Sequence, residues 1–288
     1  MAKKTKKSTP APLTFTEALR AAPGFDLRAV DTRSTPAFEG GKAAGQSLLG
    51  PLAARIADLQ ERLYAEAKEG ADRSLLLVVQ GMDTSGKGGI MRHVVGAMDP
   101  QGIHLTSFKA PSPQERKHPF LWRIRNALPA PGLIGVFDRS HYEDVLIVRV
   151  HDLVPRATWS RRYGQINAFE KRVVESGTPV VKVMLHISPD EQKARLGERL
   201  DRPDKHWKFN PADIDERLHW PAYMEAYQAA IDRCSTDLVP WFVVPADRKW
   251  YARLAVTQLV LAALEGMAPQ WPAVSFDVEE QRRRLAES

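Results

Sequence analysis

The sequence predicts an α/β fold in three layers: a parallel sheet of about five strands, helices on both of its faces, and a helical lid over one end. Three observations carry that expectation. Short apolar runs alternate with amphipathic stretches along the chain, as in parallel sheets whose strands are buried on both faces. The run at 75–79 passes directly into a glycine-rich loop at 81–89 and then into helical sequence. A later run, LIGVF, stops at the acid Asp138.

The elements follow in chain order. Residues 13–45 hold Phe15, Phe25 and Phe38 among several Pro and Gly, too few apolar groups for a domain and suited to an arm laid on the body. Residues 47–69 space Leu52, Ile56, Leu59 and Leu63 by three and four, an amphipathic helix that Gly70 and Asp72 end. The strand at 75–79 and the helix after the loop come next. IHLTSF at 103–108 is a short strand followed by a cationic loop, FKAPSPQERKHPF, and a helix, FLWRIRNAL. The strand ending at Asp138, a helix over 157–176 and the strand PVVKVMLHI continue the alternation, and WFVVPA with the helix 249–266 closes it.

The loop after the first strand fits G-x-x-x-x-G-K, the P-loop pattern whose backbone N–H groups wrap a phosphate. Gly81, Thr84, Ser85, Gly86, Gly88 and Gly89 form the cradle and Lys87 neutralises the bound oxygens. Gly88 stands where most P-loops place the Ser or Thr that binds Mg²⁺. Asp83, an acid inside an anion-binding turn, would repel phosphate unless a divalent cation lay between them, so Asp83 and Asp138 are the expected metal carboxylates. Lys109, Arg116, Lys117 and Arg123 follow the end of a strand, the edge at which open sheets bind ligands, and are expected to meet a polyanion.

Between residues 193 and 208 six basic residues outweigh three acidic ones around Trp207. Arg195 and Arg199 are four apart on one helical face, and two planar guanidinium forks suit the oxygens of a transferring phosphoryl group. That pattern suggests a lid at about 190–220. The chain is thus divided into a basic disordered tail and surface arm at 1–45, a phosphotransferase domain at 46–270 and a C-terminal tail at 271–288.

Composition narrows the function classes. The net charge of +6 owes four charges to Lys3, Lys4, Lys6 and Lys7, leaving +2 for residues 11–288, which argues against nucleic acid as the partner. A lone Cys234 excludes an intrachain disulfide, the eight histidines have no zinc spacing, and the opening residues lack a signal or anchor, so a cytoplasmic location is expected. The apolar segment 254–264 is too short to span a bilayer and reads as a packing helix.

With GMDTSGKGG, the FKAP loop, FDRSHYED and RLDRPDKHWK all in view, the chain resembles the polyphosphate kinase 2 family from about Gly45 to Leu264. The resemblance implies a P-loop kinase fold of thymidylate-kinase type that moves phosphate between inorganic polyphosphate and a nucleotide with Mg²⁺, or with Mn²⁺ in its place. It implies Asp83, Lys87, Asp138, Arg139, Arg195 and Arg199 as catalytic positions. Glu143 and Lys208, with Arg139 and the lid arginines, are expected around an adenine or other purine nucleotide. HYED at 141–144, FKAP and FLWRI look like the subgroup that accepts AMP and ADP, although Asn is frequent there at the position of Asp138 and an acid at that of Arg202. The family likeness also implies a dimer or tetramer. Two other readings stay open on the residues alone: an ATP-dependent kinase for a nucleoside monophosphate or small molecule, and a nucleotide-gated nucleic-acid-binding protein.

Overall fold

A computed structural model describes residues 14–288; the expected Lys-rich tail at 1–13 lies outside the described residues. Five strands make one parallel sheet: β1 (Leu75–Gly81), β2 (Ile103–Ser107), β3 (Ile134–Asp138), β4 (Val180–His186) and β5 (Trp241–Pro245). Their spatial order is β2-β3-β1-β4-β5. The register sets Val79 opposite Asp138 on one side and opposite Val183 on the other. All seven residues of β1 and of β4 are buried, which is why these strands appear in the sequence as mostly apolar runs, β4 interrupted by Lys182.

Eleven α-helices lie among the described residues. In chain order they are α1 (Phe15–Leu19), α2 (Lys42–Lys68), α3 (Lys87–His93), α4 (Trp122–Asn126), α5 (Ile147–Val150) and α6 (Arg156–Glu175). There follow α7 (Pro189–Asp201), α8 (Ala212–Leu218), α9 (Trp220–Cys234), α10 (Lys249–Met267) and α11 (Val278–Glu287). The two sides of β1 feed different layers. Leu75, Leu77 and Val79 pack with α2, α3 and α10, whereas Leu76 and Val78 pack with α4 and α6. The segment 254–264 is the packing helix expected, with Leu254, Val256, Val260 and Leu264 fully buried.

The arm is tied to the far edge of the sheet. Phe15 stacks on Tyr251, Arg20 bridges Phe242, and the Ala21 N–H donates to the Trp241 carbonyl at 2.8 Å. Part of the β5 edge is thereby covered. The C-terminal tail holds one helix that apolar spacing did not signal. Asp277 Oδ1 caps α11 by accepting from the Glu279 and Glu280 N–H groups, and the turns carry Glu279–Arg282 and Glu280–Arg283 pairs.

Candidate active site

β1 delivers the chain into the P-loop through Gly81, whose φ is +151° and where a Cβ would lie 2.7 Å from the Leu185 carbonyl. Only glycine fits there. Thr84 (φ +62°) and Gly86 (φ +115°) complete the turn. Gly86 caps α3 with no side-chain bond, so the first amides of α3 are left for a ligand. Lys87 is folded onto its own loop, its Nζ donating to the Gly81 and Met82 carbonyls at 2.7 and 3.2 Å. Burial lowers its pKa, while Asp83 pulls the other way.

Asp83 and Asp138 face one cleft of about 380 Å³ that runs over the P-loop. Asp83 accepts a bond from Arg139 Nη2 at 2.9 Å, and no side chain among the described residues pairs with Asp138. Arg139 follows Asp138 in a left-handed conformation, φ +64°. Burial would weaken its charge, but Glu143, Asp83 and Asp138 together raise its pKa above the ordinary value. Among the described residues no group of three His, Cys, Asp or Glu side chains could hold a metal by itself. Two carboxylates beside a phosphate cradle nevertheless suit Mg²⁺, which usually takes one or two carboxylates and completes its shell with substrate phosphates and water. The donor set therefore fits a substrate-completed Mg²⁺ and not a structural ion.

The cations of that cleft differ from those the sequence suggested. Lys87, Arg195, Arg199 and Lys208 line it, the last expected beside the nucleotide, and they are joined by Arg92, Lys205, Lys249 and Arg253. Lys249 and Arg253 stand four apart at the start of α10, just past the C-terminal end of β5, and that position was the available signal. Lys109, Arg116, Lys117 and Arg123 are not brought to the P-loop, because β2 is the edge strand and β3 lies between it and β1. Lys109 and Arg123 line a separate groove beside β2, Arg123 is 8% exposed and donates to the Lys109 carbonyl, and Arg116 bonds the Pro111 carbonyl.

Nor do the two lid arginines form a pair of forks. Arg199 Nη1 donates to the Lys208 carbonyl at 3.0 Å and to Asp213 Oδ2 at 3.2 Å, linking α7 to α8. Arg195 turns inward and is 5% exposed. Its guanidinium is occupied by Glu191 and by four backbone carbonyls, so it has no free donor for a phosphoryl group.

A second cleft, of about 220 Å³, lies on the other side of Asp83, under α8 and α9. Its walls carry Glu143, Asp213 and Glu216 and the cation Arg139, with Leu146, Ile147 and Tyr223. Gln80 Nε2 donates to Glu143 at 2.9 Å and Tyr223 donates to Glu216 at 2.8 Å. Burial, reinforced by the nearby Asp83, raises the Asp213 carboxyl above its ordinary pKa against the pull of Arg199. His141 and His186 take no part: His141 is buried against Glu170, and burial lowers the pKa of His186 to about 4.

Comparison with known proteins gives a family-model match described as Polyphosphate kinase 2 over residues 40–272. The chain is 45% identical over 248 residues to the AMP/ADP-polyphosphate phosphotransferase of Meiothermus ruber, covering 86% of this chain and 91% of that protein. It is 41% identical to the ADP-polyphosphate phosphotransferase of Rhodopseudomonas palustris, covering 86% and 88%. It superposes on the crystal structure of polyphosphate kinase 2 from Arthrobacter aurescens TC1 with a TM-score of 0.94 at 54% identity, covering 98% and 99% of the two chains.

Proposed function

Because this chain belongs to the polyphosphate kinase 2 family, whose members move phosphate between polyphosphate and a nucleotide, we propose direct transfer between its two clefts. Polyphosphate lies in the basic cleft over the P-loop, and AMP or ADP lies in the second cleft with its phosphate at Asp83. The observation that carries this reading is that two clefts of opposite character share one wall. One is lined by Lys87, Arg92, Lys249 and Arg253, the other by Glu143, Asp213 and Glu216 with apolar side chains and a single cation, Arg139, and Asp83 borders both.

In the proposed step a nucleotide phosphate oxygen attacks the terminal polyphosphate phosphorus as the bridging P–O bond breaks. The shortened polyphosphate leaves with the electron pair. Lys87, Arg139 and Arg199 are positioned to absorb charge on the oxygens, Arg139 by exchanging its Asp83 partner for phosphate. Asp83 and Asp138 would hold Mg²⁺, which when bound supplies positive charge between the two phosphates. Positioning and electrostatics suffice for phosphoryl transfer, so no Ser or His nucleophile is invoked. The proposal includes a homo-oligomer, as the family likeness implies, checked by light scattering on the purified chain.

The test supplies purified protein with polyphosphate, Mg²⁺ and AMP or ADP, with no other phosphate donor, and follows product by ³¹P NMR. ADP and ATP should accumulate as chain-end phosphate is consumed. Phosphorylation of AMP only when ATP is added as donor would replace this reading by an ATP-dependent monophosphate kinase.

A further inference from the structure

The inner face of α7 grips the back of the P-loop. Gln192 Nε2 donates to the Asp83 carbonyl at 3.1 Å. One turn further, Arg195 Nη1 donates to the Thr84 carbonyl at 2.8 Å and the Ser85 carbonyl at 3.0 Å. Three consecutive carbonyls are thus held by two side chains, and both are almost fully buried, at 1% and 5% exposure. The rest of Arg195 is committed as well. Nη2 bonds the Ala246 and Asp247 carbonyls at 2.6 and 3.1 Å, and Nε bonds Glu191 at 2.7 Å. A guanidinium has five N–H groups, and all five are used.

We infer that Gln192 and Arg195 are positioning residues that fix the phosphate cradle from its carbonyl side; as a refinement of the proposed function, this rests on the P-loop being the phosphate site. In a turn that gathers N–H groups on one side, the carbonyls gather on the other. A cation there orients the peptides so that their N–H ends face the anion. The Ser85 carbonyl belongs to the same peptide as the Gly86 N–H, one of the cradle donors. Thr84 is a non-glycine residue in the left-handed region, a conformation that costs ~1–2 kcal/mol and persists only where neighbours hold it. Arg195 holds it by its carbonyl.

The same contacts divide the lid. Asp247 accepts bonds from the Ser188 N–H at 2.9 Å, the Ser188 hydroxyl at 3.0 Å and the Thr32 hydroxyl at 2.8 Å, so the start of α7 is fastened to the arm and to the β5–α10 connection. The root of α7 is therefore part of the fixed body. Arg217 of α8 donates to Gln192 Oε1 at 2.9 Å, which joins α8 to the side chain that holds the Asp83 carbonyl.

Hydrogen exchange over residues 81–89, measured without substrate, tests the clamp independently of which phosphate donor the enzyme uses. R195K keeps the charge but cannot reach carbonyls on both sides. It should exchange faster in that segment alone and lose about 10²-fold in turnover at saturating substrates, the scale of a small misplacement. R199K should lose turnover with exchange unchanged. Gln192→Leu, which removes one of the three carbonyl bonds and should fold even if Arg195 variants do not, should speed exchange in the same segment to a smaller extent. Unchanged exchange in R195K, with or without lost turnover, overturns the inference, and so does unchanged exchange in Gln192→Leu.

Discussion

Replacing Lys182 with Met should cost about 3–5 kcal/mol of stability and should do so in a pH-dependent way. Lys182 sits in the middle of β4, fully buried, between the rings of Tyr142 and Trp241. Its three N–H groups reach Glu170 at 2.7 Å, the Tyr142 hydroxyl at 2.8 Å and the Cys234 carbonyl at 2.7 Å. Glu170 in turn takes bonds from Tyr142 at 2.9 Å and from His141 at 3.1 Å. Methionine would still fill the space between the rings, so the loss falls mainly on a carboxylate left buried without its cation. At ~2–4 °C per kcal/mol for a chain of this size, the midpoint should fall by roughly 6–20 °C.

The pH dependence follows from Glu170. Burial would raise its carboxyl, but the Lys182 charge and the His141 bond hold it below its ordinary value. A depressed carboxyl contributes stability above the unfolded pKa and loses it as pH falls through the folded value. Without Lys182 burial prevails, the pKa rises, and the penalty grows as pH climbs above ~4.5. The gap between wild type and variant should therefore be widest near about pH 8 and narrow toward about pH 5, read by urea unfolding at each pH. The Lys182→Met/Glu170→Gln double variant should recover much of the loss. A single variant within ~1 kcal/mol of wild type, or a gap independent of pH, would refute the reasoning.

Three other outcomes are expected. Asp83→Asn should lower turnover far more than tenfold with an unchanged unfolding midpoint, since losing such a charge contact costs ~2–4 kcal/mol of transition-state stabilisation; steady-state kinetics against Mg²⁺ concentration checks it. Lys249→Ala and Arg253→Ala should each raise the polyphosphate KM roughly fivefold, about 1 kcal/mol for partly exposed charges, and flatten its salt dependence while kcat holds. Cys234 is fully buried and burial pushes its thiol up to about 12, so iodoacetamide should label the protein only in denaturant, as mass spectrometry would record.

Much of this was legible from residue order alone because its signals are local. An unbroken apolar run means a strand covered on both faces, and Gly81, Gly86 and Lys87 mark a turn that few other residues permit. What escaped depends on relations between distant segments. Chain order marks the cations after β2 as candidates for a polyanion but not their distance from the phosphate loop; β2 lies at the edge, and its groove is separate from the P-loop cleft. Helical spacing set Arg195 and Arg199 on one face, yet it could not say how deeply α7 docks: one arginine enters the body and the other meets Asp213. Lys182 was visible as a charge in an apolar strand; its partner Glu170, on α6, becomes a partner only once the helix packs on the sheet.

The charge pairs of this protein fall into two kinds, and the division matches what phosphoryl transfer needs. Arg139–Asp83 and Arg199–Asp213 line the clefts with side chains 38%/31% and 24%/14% exposed. The more exposed of the two, Arg139–Asp83, contributes little, ~1 kcal/mol or less, so in the proposed step an entering phosphate can take over its arginine at small cost. Beneath them, Lys182–Glu170 with Tyr142 and His141 fixes the turn that carries Arg139 and Glu143, and separating that pair is several-fold more expensive. Arg195 and Gln192 do the same for the phosphate loop with uncharged acceptors. In the proposed step the charge that changes partners, Arg139, lies at a cleft, and the groups that hold its backbone are buried. A site arranged the other way, with catalytic arginines in deep ion pairs, would have to break a buried pair in every cycle.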